Sequence, residues 1–132
     1  MGVSLSFDKT YRILYIRFHG IITDENASLY YQKLREWFLA HGDCSNVCDF
    51  SDVTSFKVSG AKVIQLAGNQ PLVSNGNLRI MIAPQDVIFG CARMYEISGS
   101  NERDKVHVVR SVAEAYKLLG VQSLDLKPSA EW

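Results

Sequence analysis

Leu78-Arg-Ile-Met-Ile-Ala-Pro84, then Asp86-Val-Ile-Phe-Gly-Cys-Ala-Arg-Met-Tyr-Glu-Ile97, then Val106-His-Val-Val109 form the stretch on which the fold turns. The first segment is an apolar strand stopped by proline. The second is a helix opened by Asp86, and the third is another strand. A strand, a helix and a strand in that order require a parallel pair with a right-handed crossover. The preceding residues repeat the unit: Val47–Phe50 reads as a short buried strand, and Ser59 to about Gln70 as a helix stopped by Pro71. The following residues add a helix, with a capping box at Ser111-Val-Ala-Glu114 and a stop at Gly120.

Upstream, Ala27, Tyr30, Tyr31, Leu34, Trp37, Phe38 and His41 recur at spacings of three and four, which predicts a helix over 24–41. Thr23 or Asp24 can cap its start, and Gly42 can close its end. Residues 3–7 and 11–19 alternate with a period of two about the Asp8-Lys9-Thr10 turn. This is an antiparallel hairpin, with Leu14, Ile16 and Phe18 on one face of its second strand. The order β-β-α-β-α-β-α-β-α predicts one α/β domain over residues 1–120. It has a mixed five-stranded sheet with an antiparallel N-terminal hairpin, flanked by four helices. Residues 121–132 are polar, contain Pro128 and read as a C-terminal tail.

Composition agrees. The chain has 132 residues, 47% of them hydrophobic, and its 14 basic and 14 acidic side chains cancel. That length suits one domain with a sufficient core. Zero net charge removes the footprint of a nucleic-acid or anionic-membrane binder, and no stretch reads as a membrane anchor. The N-terminus has no cationic region ahead of an apolar run, so it is not a secretory signal. Gly2 and Ser6 fit a myristoylation pattern, but the alternation of Val3, Leu5 and Phe7 uses the same residues as a strand. Cys44, Cys48 and Cys91 are odd in number and lack metal-ligand spacing, so they read as reduced thiols of a cytoplasmic protein.

Phosphate-cradling glycine loops and a nucleophile elbow are absent, and the histidines 19, 41 and 107 stand singly. The expectation is a non-enzyme with no metal and no cofactor.

Two segments carry a resemblance. Asp49-Phe-Ser-Asp-Val-Thr54 leading into Ser59-Gly-Ala61 resembles the strand-loop-helix of STAS domains, the family of anti-sigma factor antagonists such as SpoIIAA, which reads roughly D-L-S-x-V-x-x-x-D-S-S-G. Phe89-Gly-Cys-Ala-Arg-Met-Tyr-Glu96 and Val106 to Gly120 are similar to the C-terminal halves of small SpoIIAA-like (STAS/SEC14-like) bacterial proteins, most of them uncharacterised. The resemblance implies the SpoIIAA-like fold over nearly the whole chain. It also implies a regulatory role through protein contacts, with an anti-sigma-like regulator as the model partner. The serine phosphorylated in that family aligns with Val58, and the aspartate before it with Lys57, so the usual switch is missing.

Two sets of candidate residues follow. Asp49, Ser51, Asp52, Thr54, Lys57, Ser59 and Gly60 form an expected partner-binding loop beyond a parallel strand. The competing reading of that cluster is turn chemistry, and of Ser59 a helix N-cap against a displaced phosphosite near Lys57 and Lys62. The alternative function is a carrier or sensor of a small apolar or amphipathic ligand. Phe56, Phe89, Met94 and Tyr95 would line its pocket, with Arg93 at the mouth against an acidic head group unless it pairs with Glu96. Tyr30 or Trp37, at the edge of a wide aromatic stripe, would anchor a homodimer or partner contact.

Overall fold

The computed structural model describes residues 2–68, 76–98 and 105–132. The elements are β1 (Val3–Asp8), β2 (Ile13–Thr23), α1 (Asp24–His41), β3 (Ser45–Lys57), α2 (Gly60–Ala67), β4 (Leu78–Ile82), α3 (Asp86–Ser98), β5 (Lys105–Val109), α4 (Val112–Leu119) and β6 (Lys127–Glu131). The expected end of α2 at Gln70 and Pro71 lies outside the described residues.

The sheet has six strands in the order β5-β4-β3-β2-β1-β6, one more than the sequence predicts. β1–β2 is the antiparallel hairpin, and β2–β3, β3–β4 and β4–β5 are parallel. The extra strand comes from the segment read as a tail. Lys-Pro-Ser-Ala-Glu has no strand signature, yet it pairs antiparallel with β1, and the Val3 and Trp132 backbones exchange bonds of 3.0 and 2.8 Å. The ladder offered by β1 decides that segment, and Pro128 is accommodated at the sheet edge beside an irregularity in register.

A second correction concerns β3. The expected loop after Phe50 continues as strand to Lys57, paired with β2 out to Thr23. Two register shifts and Gly20, at φ 79°, let the pair run on. Serine and aspartate in Ser51-Asp-Val-Thr-Ser-Phe-Lys57 signal a turn, but Val53, Thr54 and Phe56 suit a strand, and the parallel partner supplies the backbone bonds. Because β1 ends its pairing at Phe18 and β4 at Asp49, β2 and β3 extend past the sheet as a two-stranded ribbon.

Each face of the sheet has its own core. Leu14, Ile16, Phe18, Cys48 and Met81 face α1, α2 and α3, while Ile13, Tyr15, Val47, Ile80, Ile82 and Val109 face α4 and the segment through Leu126. The caps fall where the sequence puts them. Thr23 starts α1 in a capping box with Asn26, Ser59 and Ser111 start α2 and α4, and Gly120 closes α4 in the left-handed region at φ 73°.

Candidate functional site

Between the sheet and helices α1–α3 lies a half-open apolar cavity of about 100 Å³. Phe18 and Ile22 of β2, Phe50 and Phe56 of β3, Tyr30 and Leu34 of α1, Val63 of α2, and Ile88, Cys91 and Tyr95 of α3 contribute to its walls. The rings are ordered against one another. Phe18 and Phe50 stack at 4.8 Å between centroids, and Phe56 meets Phe50 edge-on at 6.4 Å. The ribbon beyond the sheet therefore contributes Ile22 and Phe56 to one wall.

Arg79 is the one charged side chain among the described lining residues, and it is only 4% exposed. It shares the cavity face of β4 with Met81, while Ile80 and Ile82 point to the α4 side. Its guanidinium carbon lies 5.7 Å from the centre of the Tyr95 ring. In the parallel register Asn46 of β3 is its neighbour, completely buried, with an amide nitrogen that has no hydrogen-bond partner. The Asn46 amide oxygen receives the Cys48 thiol at 3.8 Å. A polar cleft of about 300 Å³ lined by Ser28, Gln32, Arg35 and Gln65 shares Tyr31 and Leu66 with the cavity. Burial pushes the Cys91 thiol up from its ordinary value, which keeps it a neutral wall residue.

Of the residues expected around a pocket, Phe56 and Tyr95 line it. Phe89 instead packs against the core at the other end of α3, its ring lying 3.8 Å beneath the Arg110 guanidinium, which also holds Asp86 at 2.8 Å. Met94 is partly exposed and near Gly60, where a Cβ would stand 3.8 Å from its sulfur. Arg93 pairs with Glu96 at the surface and takes no part in the cavity. The sequence reading missed Arg79 and Asn46. Arg79 did leave a signal, as a lone charge inside the apolar run Leu78–Ile82.

The expected partner loop divides. Asp49 is buried in mid-strand, where the Tyr15 hydroxyl donates to one oxygen and the Ser51 N–H to the other at 2.9 Å. Burial first, then the bond to Asp49 and its charge, raise the Tyr15 phenol far above its ordinary value. Asp49 is thus a brace between β2 and β3, buried rather than presented at the surface. Ser51, Asp52, Thr54, Lys57, Ser59 and Gly60 are exposed along the ribbon and its exit. Asp52 faces Arg17 at 3.9 Å.

Ser59 is the N-cap of α2. Its hydroxyl accepts the Lys62 N–H at 3.1 Å and donates to Asp24 at 2.9 Å, while its own N–H donates to the other Asp24 oxygen at 2.7 Å. The bond from the Ser59 backbone, then that from its hydroxyl, lower the Asp24 carboxyl from its ordinary value. The nearby Lys62 amine is engaged by Ser28 at 3.0 Å and Gln65 at 2.7 Å. A phosphate on Ser59 would break this cap and set a dianion against Asp24, which opposes the phosphosite reading.

The aromatic stripe of α1 is spent internally. Trp37 is buried, stacks on His41 at 4.3 Å and donates to Ser129 at 3.3 Å, while Tyr30 borders the cavity. Trp37 is therefore covered by the chain's own β6 segment rather than offered at the surface. Among the described residues no group of three or more His, Cys, Asp or Glu is placed to hold a metal ion. No helix among them is long and apolar enough to cross a membrane.

No family model matches the sequence, and no curated protein matches it. A solved structure does. The chain is similar to an uncharacterised protein of the DUF3478 family with a SpoIIAA-like fold from Shewanella loihica PV-4, at a TM-score of 0.57 and 9% identity, over 89% of this chain and 91% of that one. At that identity the likeness is one of fold, and the fold is SpoIIAA-like.

Proposed function

We propose that this SpoIIAA-like domain is a non-enzymatic binding module whose ligand is a small apolar or amphipathic molecule held between the sheet and α1–α3. One observation carries the reading: a cavity walled by aromatic and aliphatic side chains contains a single buried guanidinium. Sites for small molecules have this composition, mostly apolar with few placed polar groups. A core shaped only for stability would fill that space, because protein interiors pack close to crystal density. The size sets the class of ligand. An engineered apolar cavity of ~150 Å³ accepts benzene, so this smaller, half-open site suits a short chain or one ring that reaches out through its mouth. Native mass spectrometry of protein purified gently from its own host tests the reading. A non-covalent small-molecule adduct supports it, and a bare chain under conditions that preserve weak complexes argues against it.

A second reading rests on the ribbon. Ser51, Asp52, Thr54, Lys57, Ser59 and Gly60 present an exposed polar rim that a regulatory protein partner, of the anti-sigma kind, would meet. The two readings are compatible, since Phe56 belongs to the ribbon and also lines the cavity. Ligand entry would then alter the surface that the partner reads. Charge reversal at Asp52 and Lys57 should abolish partner binding and leave small-molecule binding unchanged.

A further inference from the structure

We infer that the ligand is an amphiphile received by two adjoining sites: its apolar body by the cavity, and an anionic oxygen head group, a carboxylate or a phosphate, by the cleft between α1 and α2. The inference rests on the reading of the cavity as a binding site and deepens it. The cleft, of about 300 Å³, is lined by Ser28, Tyr31, Gln32 and Arg35 of α1 and by Gln65 and Leu66 of α2. Tyr31 and Leu66 line the cavity as well, so the polar surface begins where the apolar surface ends. Lys62 decides what two of the polar walls can offer. Its amine donates to the Ser28 hydroxyl oxygen at 3.0 Å and to the Gln65 side-chain oxygen at 2.7 Å. An ammonium only donates, so it takes up the Gln65 carbonyl and leaves the Gln65 NH₂ group and the Ser28 hydroxyl hydrogen to give. Arg35 adds a positive charge at the shared edge, its guanidinium carbon 5.6 Å from the centre of the Tyr31 ring. A guanidinium carries five N–H groups, so it can hold a neighbour and still donate in the planar fork that fits carboxylate and phosphate oxygens. No carboxylate is among the described residues that line the cleft. Asp24 is bonded to Ser59, and Glu36, which meets Gln32 at 3.5 Å, is exposed and is not one of the walls. The complement of these donors, with Arg35 in the wall and Lys62 behind it, is an anion of several acceptor oxygens. A cavity of about 100 Å³ limits the body to far less than a two-chain lipid. Arg79, in the cavity wall against Tyr95, is the competing cation.

The test titrates the intact chain with hexanoate, hexyl phosphate, hexanamide and acetate, by calorimetry and by NMR. At least one of the two six-carbon anions should bind about tenfold or more tightly than the amide, the size of one charge-assisted hydrogen bond, and the tighter of the two names the head group. That anion should shift the side-chain signals of Ser28 and Gln65, which the amide leaves in place, while both move Met81 in the cavity. In Arg35→Gln the preference should fall to about twofold or less with amide binding kept, which also reports that the cavity has folded. Equal binding of anions and amide by the unaltered chain would overturn the head-group inference and leave the cavity reading standing. A preference that survives Arg35→Gln, or that comes without shifts at Ser28 and Gln65, would overturn the assignment to the cleft. Acetate binding as tightly as hexanoate would show that the body adds nothing and would overturn the joined site. Binding of none of the six-carbon probes would remove the cavity reading together with the inference.

Discussion

Ile80 and Met81 are consecutive residues of β4 and look out on two different interiors. Ile80 is fully buried under α4 among Ile13, Tyr15, Val47, Ile82 and Val109, a face with Ala115 pressed flat against it. Met81 is buried under α1–α3 on the face that keeps an open, aromatic-walled space and a buried cation. One strand thus serves a face that holds a cavity and a face whose buried residues line none of the cavities formed by the described residues, separated by a single step of the β alternation. The difference teaches that the hollow is not a defect of a sparse sequence. The hollow face carries the larger side chains, Phe18, Phe50, Phe56, Tyr30 and Tyr95, yet leaves room. Both faces bury a core, and only the one under α1–α3 also holds the candidate site.

The comparison can be broken first by truncation. Ile80→Ala should cost ~4 kcal/mol, within the range for a buried aliphatic residue whose cavity cannot collapse, and Met81→Ala about 2 kcal/mol, because part of its surroundings is already empty. Denaturant melts of the two variants measure the gap, and equal costs would break the distinction. Overpacking gives the converse. Ala115→Leu should lose ~1–3 kcal/mol on the filled face, whereas Ala92→Leu on α3 should grow into the hollow with little loss and block probe binding. Removing the brace sharpens the account of the filled face. Tyr15→Phe leaves a buried Asp49 oxygen without its donor and should cost ~1–3 kcal/mol in the same melts, with probe affinity unchanged.

The smallest effects belong to the ribbon exit. Ser59→Ala removes a cap and should cost about 1 kcal/mol. The Asp24 carboxyl, lowered in the folded chain by the two bonds from Ser59, stabilises the fold at pH above its unfolded value. That contribution disappears as pH falls through the lowered folded value. Thermal melts between neutral and strongly acidic pH should therefore show Asp24→Asn losing less stability on acidification than the unaltered chain.

How much of this was legible in the sequence varies by element, for physical reasons. β4, α3 and β5 were readable because apolar runs, Pro84 and Asp86 act locally, and the caps Thr23, Ser59 and Ser111 act within one turn. β6 and the second half of β3 were not, since their strand character comes from hydrogen bonds to β1 and β2 and overrides local turn chemistry. The site was legible only in part. Phe56 and Tyr95 are legible as large apolar residues, but sequence cannot say which face of α3 Phe89, Arg93 and Tyr95 occupy when most of the helix is apolar. Arg93 is a charge in a largely apolar helix, whereas Arg79 is a charge in an apolar strand buried on both faces and is the better signal.

The most direct test of the central claim is a methyl NMR titration with indole, a neutral single-bodied probe that needs no acid group. The account expects saturable shifts at Met81, Ile88, Val63 and Ile22, with Ile80, Ile82 and Val109 on the opposite face unmoved. Shifts spread equally over both faces, or none at either, would contradict a hollow, receptive side and a solid one.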